Sequence, residues 1–205
     1  MKSEGTQRLE AFSDGVFAIA ITLLILEVRV PHTDAGGTLR LGQALRELWP
    51  SYFAYVLSFV HVGIYWANHH SLYKLYVKVD HVFNLLNVFF LMGISFVPFP
   101  TAVLAQHLMN PASRHSAIGF YVLGMLLPAV GWLACWLYAS WGFRLLDPRL
   151  DPRFVRSLTQ QFLLSNLFYA ISLWISCWNA RLALAICVGL TMLYLLPPKK
   201  PIYQT

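Results

Sequence analysis

Residues 8–28 read RLEAFSDGVFAIAITLLILEV, a polar entrance that leads directly into an apolar run reaching Val30. An α-helix needs about 20 apolar residues to cross about 30 Å of hydrocarbon, so the run is long enough to span a membrane. It is longer than the apolar core of a cleaved signal peptide, and it ends in Glu27, Arg29 and Pro31 instead of a small-residue cleavage site. We therefore expect a first span that the protein retains.

The composition extends this expectation to the whole chain. Of the 205 residues, 58% are hydrophobic and only 12% are charged, whereas soluble domains are about 25% charged. This balance excludes an ordinary soluble domain and predicts an all-α membrane protein. The three cysteines, at 135, 177 and 187, lie in apolar runs without metal-ligand spacing, and we interpret them as small core residues.

A search for apolar windows predicts six membrane helices in one domain that covers residues 1–205. The predicted spans are about 12–30, 45–68, 82–106, 116–141, 155–177 and 181–197. The turn before the last span is short, so the fifth and sixth spans should form a hairpin. The duplicated LDPR at 146–149 and 150–153 is too short to be an architectural repeat, and we interpret it as a polar loop.

The distribution of Lys and Arg predicts the orientation, because these residues are enriched on the cytoplasmic side of a membrane. With a cytoplasmic N-terminus, ten basic residues fall inside: Lys2, Arg8, Lys74, Lys78, Arg144, Arg149, Arg153, Arg156, Lys199 and Lys200. Five fall outside: Arg29, Arg40, Arg46, Arg114 and Arg181. Both termini are therefore expected in the cytoplasm, and anionic lipid explains the net charge of +6 without a nucleic-acid partner.

This topology brings polar residues from the first three spans to one depth near the cytoplasmic side, where an unpaired polar group would cost several kcal/mol. The predicted network comprises Arg8, Phe12, Ser13, Asp14, Asn68, His69, His70 and Asn84. It is interpreted first as a structural hydrogen-bond network, with an ion-entry or gating element as the alternative. A metal or catalytic site is disfavoured, because His69 and His70 point about 100° apart on a helix.

Three motifs resemble the transmembrane protein 175 family of potassium channels in its short prokaryotic form. They are R-x-x-x-F-S-D at 8–14, WANHH at 66–70 and FVPFPTAVLA at 96–105. The resemblance implies a homotetramer of six-helix subunits with both termini cytoplasmic and the first helix lining a central pore. Those channels lack a carbonyl selectivity filter, and this sequence contains no T-V-G-Y-G. We therefore expect no re-entrant filter loop.

The first helix has a stripe that suits such a pore. At about 100° per residue, Ile19, Leu23 and Leu26 fall on one narrow face, and Thr22 lies about 60° to one side. We expect the three apolar residues to form a constriction that gates by dewetting, and the Thr22 hydroxyl to replace some lost hydration water. Asp14 lies about 140° from the stripe and is expected to face the subunit's own bundle.

The sequence thus predicts a passive, potassium-preferring cation channel of the cell membrane that is not an enzyme. Its expected partners are copies of itself, the lipid bilayer and permeating monovalent cations; no cofactor is expected, and no metal beyond permeating potassium. The alternative is a proton-linked or small-solute secondary transporter that uses His61, deep in the second span, as its ionisable group. A hydrolase using Ser13, His69 and Asp14 is disfavoured, because Ser13 and Asp14 diverge on the helix.

Overall fold

The computed structural model describes residues 4–31 and 41–204, and the regular elements of this part are all helices. Lys2 and Arg40, which enter the charge count, lie outside the described residues. The α-helices are α1 (Glu4–Leu23), α2 (Leu41–Glu47), α3 (Trp49–Tyr73), α4 (His81–Phe96), α5 (Pro98–His107), α6 (Arg114–Ser140), α7 (Pro152–Ser176) and α8 (Ala180–Leu193). Short 3₁₀ turns, Leu24–Glu27 and Trp141–Phe143, extend α1 and α6.

The helices overlap the predicted spans, but α1 begins at Glu4, before the predicted start at about 12, and the short helix α2 was not predicted. The third span also differs. That segment divides into α4 and α5 at Val97, because Pro98 and Pro100 lack the backbone N–H that an uninterrupted helix requires. By length and composition, three described segments can cross a membrane: Glu4–Glu27, His81–His107 and Arg114–Phe143. The total of six spans and the cytoplasmic location of both termini stay predictions.

Helix α6 lies at the centre of the bundle and packs most closely against α4. A methyl group added at Gly131 would lie 2.7 Å from Phe90 Cα, and one added at Gly93 would lie 2.8 Å from Pro128 N. Each helix therefore places a glycine against the backbone of the other. Small residues allow this approach in membrane proteins, where van der Waals packing drives helix association.

One end of the bundle, here called the tail face, carries the loops 74–80 and 144–151 and the C-terminal segment 194–204. The Val77 amide donates to Leu145 O at 2.9 Å, and the Asp147 amide donates to Leu75 O at 2.9 Å. The segment then joins this pair of loops, because the Gln204 amide donates to Arg149 O at 2.7 Å. The duplicated LDPR thus lies largely in the loop 144–151, which binds both the loop 74–80 and the C-terminal segment.

Candidate functional site

Helix α1 has two faces of different character. Phe17, Ala20 and Leu24 are buried against the rest of the subunit. Ile19 is 62% exposed and Leu26 is 67% exposed, with Leu23 also on the open side. The described subunit therefore leaves the predicted apolar stripe uncovered.

The end of α1 aligns two members of this stripe. Residues Leu24–Glu27 form a 3₁₀ turn, in which side chains three residues apart eclipse each other because the turn contains about three residues. Leu23 and Leu26 consequently lie one above the other more closely than an ideal α-helix would place them. The sequence did not predict this change in helix type.

Thr22 lies exposed beside the stripe. Its hydroxyl lies 2.9 Å from both Ala18 O and Ile19 O, so the O–H donates back into the helix. A hydroxyl oxygen also has two lone pairs. The oxygen can therefore accept contacts from water or a cation on the open side of α1.

A directed chain of buried hydrogen bonds joins α1 to α3 and α4. Tyr73 Oη donates to Asn87 Oδ1 at 2.8 Å, and Asn87 Nδ2 donates to Ser13 Oγ at 3.0 Å. Ser13 Oγ then donates to Leu9 O at 2.8 Å. Ser13 is a member of the predicted network, and the sequence also places Asn87 at the same depth, nearly one helical turn from Asn84. Tyr73 is the member of this chain that the sequence did not predict.

Asp14 lies at the edge of the bundle against α3 and not in the buried interior. Its side chain is exposed and accepts a hydrogen bond from Trp66 Nε1 at 3.1 Å. The buried face of α1 is centred near Ser13 and Phe17, on one side of the Ile19 stripe. Asp14 is displaced from the stripe by a similar angle in the opposite direction, about 90° from the buried face.

The other predicted polar residues have separate surroundings. His70 Nδ1 lies 2.8 Å from Glu10 Oε1, a contact between α3 and α1 near the tail face. Asn68 Nδ2 donates to Ile64 O within its own helix. His69 is buried and stacks on Tyr73 with ring centroids 3.9 Å apart.

The remaining three members join none of these contacts. Arg8 is exposed on α1, and Phe12 is 56% exposed on the same side of α1 as Ile19, closer to the N-terminus. Asn84 Oδ1 is buried without a hydrogen-bond partner among the described residues. The eight residues therefore do not form one network; the observed brace runs through Ser13, Asn87 and Tyr73.

A cavity of about 580 Å³ lies between α3, α7 and α8, with His61 among its lining residues. His61 Nδ1 lies 3.3 Å from Thr191 Oγ1, while Nε2 has no hydrogen-bond partner in the described part of the chain. His61 also packs edge-on against Tyr65 and Tyr169. The predicted ionisable residue is thus buried beside an internal space.

The loops of the tail face hold two carboxylates in their charged form. Hydrogen bonds from Arg149 lower the pKa of Asp147 from 3.8 to about 2. Burial would raise the pKa of Asp80, but hydrogen bonds from the Phe83 amide and the Tyr138 hydroxyl outweigh it and leave that pKa below its usual value. Both groups stay ionised across the physiological range.

Residues 4–31 and 41–204 contain no group of three or more His, Cys, Asp or Glu side chains able to hold a metal ion. Cys135 and Cys187 are buried, Cys177 is exposed, and all three are free thiols. Within this part of the chain, the candidate functional features are therefore the open face of α1, its polar brace and the cavity lined by His61.

Comparison with known proteins identifies similar chains. A family described as "Endosomal/lysosomal potassium channel TMEM175" matches residues 8–98. A protein of Streptomyces collinus named a potassium channel is 43% identical over 91% of this chain and 89% of its own length.

A solved structure and a vertebrate protein are also similar. A crystal structure from Chamaesiphon minutus, described as that of "a lysosomal potassium-selective channel TMEM175 homolog", is 36% identical and has a TM-score of 0.85. The match covers 95% of this chain and 98% of the solved chain. The Gallus gallus protein named "Endosomal/lysosomal proton channel TMEM175" is 34% identical over 65% of this chain but only 28% of its own length.

Proposed function

Because the chain belongs to the TMEM175 family of channels, we propose that it conducts potassium passively through a pore lined by α1. The Streptomyces collinus protein, which aligns over 89% of its own length, is named a potassium channel. The Gallus gallus protein, which is named a proton channel, aligns over only 28% of its own length. The members of this family are multi-pass membrane channels and not enzymes. This agrees with the channel activity and the cell-membrane location expected from the sequence.

The observation that carries the proposal is the apolar stripe of α1 that the subunit leaves uncovered. Ile19 and Leu26 are both more than half exposed, although they lie on the helix that contributes Phe17 and Leu24 to the core. In a symmetric homotetramer, four copies of the stripe converge on the axis. The rings of Ile19, Leu23 and Leu26 then form the constriction.

Such a constriction controls conduction through hydration. An ion that enters an apolar ring loses water contacts that aliphatic side chains cannot replace, so a narrow dry ring is a barrier. The Thr22 oxygen, at the edge of the stripe, replaces part of the hydration shell. Potassium is preferred over sodium because the smaller ion holds its hydration water more strongly.

Replacement of Ile19 by Asn tests the proposal. The polar ring should hold water in the constriction, raise conductance or open probability and weaken the discrimination between potassium and sodium. The measurement is single-channel recording in planar bilayers with KCl on one side and NaCl on the other.

The matched control is Ile171→Asn, the same chemical change on the exposed side of α7. This control should retain wild-type conduction. Wild-type conductance and selectivity in an assembled Ile19→Asn channel would show that α1 does not line the constriction.

One observation favours a second function, a proton-linked transporter that uses His61. The unpartnered Nε2 lies beside the cavity, and a neutral imidazole nitrogen can accept a proton. A transporter of this type should show saturable, proton-coupled uptake that His61→Gln abolishes. A channel should instead retain its current and the pH dependence of that current in the same variant.

A further inference from the structure

The cavity between α3, α7 and α8 has the form of a lipid site. Its walls are formed mainly by aliphatic and aromatic side chains, among them Leu72, Phe154, Leu158 and Phe162. The volume of about 580 Å³ lies within the range of about 300–1,000 Å³ that is typical of small-molecule sites. The space is separate from the open face of α1.

The depth of the cavity matches an acyl chain. Lys74 lines the cavity where α3 ends, and His61 lines it farther along the same helix. At a rise of about 1.5 Å per residue, the two are about 20 Å apart. One leaflet contributes about 15 Å of hydrocarbon, so an acyl chain fits with space left at the closed end.

The closed end is polar enough to hold water in that remaining space. His61 Nε2 and Asn166 Oδ1 both lack hydrogen-bond partners among the described residues, and both residues line the cavity. Buried polar atoms of this kind are usually satisfied by ordered water. The acyl chain therefore contacts the apolar walls and ends before these two groups.

The open end is positively charged. Lys74, Lys199 and Lys200 line it, and no Asp or Glu of the described residues lines any part of the cavity. Lys199 Nζ donates to Ser157 Oγ at 2.6 Å, which holds the ammonium group beside the N-terminal turns of α7. An ammonium has three donors, so two stay available for an anionic group.

The C-terminal segment holds two of these lysines in place. Residues 196–201 line the cavity, and three prolines, at 197, 198 and 201, restrict their backbone. Beyond them, the Asp151 amide donates to Ile202 O at 2.9 Å, and Gln204 binds the Arg149 carbonyl. The segment is therefore a strap that continues from α8 and is anchored beyond Lys199 and Lys200 by Ile202 and Gln204.

We propose that this cavity binds an anionic phospholipid from the leaflet at the tail face. One acyl chain enters the cavity, and the phosphate lies among Lys74, Lys199 and Lys200. The second chain lies on the outer apolar surface, where Leu164 and Leu193 line the cavity edge and are more than half exposed. A surface for a second chain favours a phospholipid over a free fatty acid.

The test measures lipid binding to the full-length protein in a neutral detergent by native mass spectrometry. Dioleoyl phosphatidylglycerol should bind in preference to dioleoyl phosphatidylcholine. The triple variant Lys74→Gln, Lys199→Gln, Lys200→Gln should bind phosphatidylglycerol about tenfold to a hundredfold more weakly, since each surface lysine contributes measurably to attraction for anionic lipid.

A matched variant with the same loss of charge on the same face controls for diffuse attraction. Lys78, Arg153 and Arg156 are exposed and do not line the cavity, so replacing these three by Gln should leave the preference unchanged. Equal losses in the two triple variants would overturn the site. Oleate that binds as tightly as phosphatidylglycerol and displaces it would overturn the assignment to a phospholipid.

Entry of the acyl chain has a separate readout. Trp132 lines the cavity, so phosphatidylglycerol with brominated acyl chains should quench its fluorescence. The quenched fraction should fall in Trp132→Phe, which keeps an aromatic ring at the position. Identical quenching in wild type and Trp132→Phe would contradict insertion of the chain.

Discussion

Ser13 and Asp14 are neighbours in the sequence, but they lie in different surroundings. The Ser13 hydroxyl is buried and accepts the hydrogen bond of Asn87, whereas the Asp14 carboxylate is exposed and binds the Trp66 indole. The difference follows from the rotation of about 100° per residue. Substitutions at the two positions should therefore have different costs.

We expect Ser13→Ala to destabilise the protein by about 1–3 kcal/mol, because Asn87 Nδ2 loses its acceptor in a buried site. Asp14→Ala should cost less, since water replaces the lost partner of Trp66. Thermal unfolding in detergent measures both effects. A larger loss for Asp14→Ala than for Ser13→Ala would show that the brace does not run through Ser13.

Thr22 allows a test of selectivity that hardly changes the shape of the pore. Thr22→Val keeps the branched side chain and removes the oxygen that faces the open side of α1. We expect the preference for potassium over sodium to fall while the total current is largely retained. Bi-ionic reversal potentials measure this preference, and an unchanged reversal potential would remove Thr22 from the selectivity mechanism.

At the level of elements, the tail-face loops form a junction whose stability should depend on the charge of Asp147. Arg149 lowers the pKa of this carboxyl to about 2, so the ion pair stabilises the folded state above pH 4. This contribution should be lost as the pH falls towards 2, because protonation removes the charge that binds Arg149.

Thermal unfolding at several pH values tests this dependence. Asp147→Asn should unfold at a lower temperature than wild type at pH 6, and the difference should shrink as the pH approaches 2. A constant difference across that range would show that the charge of Asp147 does not contribute.

The helices themselves follow closely from the sequence, because long apolar runs bounded by polar turns leave few alternatives in a membrane. The position of the break at Val97 could also have been inferred from Pro98 and Pro100. The 3₁₀ end of α1 could not, since nothing in the LILE segment at 24–27 distinguishes it from a continuing α-helix. The exposure of Asp14 was not predicted, because an angle from the stripe does not specify which residues of α1 are buried against α3 and α4.

At the level of the whole molecule, the cavity is a feature that the sequence did not predict. Its walls come from α3, α7 and α8, which are distant along the chain, and a window of hydropathy contains no information about the gap between three helices. In the sequence analysis, Lys74, Lys199 and Lys200 at the open end of the cavity were used only to predict the orientation in the membrane. Their common position depends on the strap formed by residues 196–201.

Assembly of the whole molecule can be tested from the open face of α1. In the proposed homotetramer, Leu26 faces the central axis, so a positively charged thiol reagent applied in water should modify Leu26→Cys and reduce the current. Leu182→Cys, on an exposed part of α8, is the matched control and should conduct normally after treatment. If the reagent reduced the current of both variants equally, a pore on the α1 side would be contradicted. Wild-type protein treated in the same way controls for reaction of the native cysteines.

The hydrogen bond between Ser13 and Asn87 also has a consequence for the biosynthesis of the protein. The two residues are separated by 74 positions, and translation adds about 5–20 residues per second. After Ser13 is made, about 4–15 s therefore pass before Asn87 exists. During this interval the nascent first helix cannot complete its junction, and the translocon or the surrounding lipid must hold it until α4 arrives.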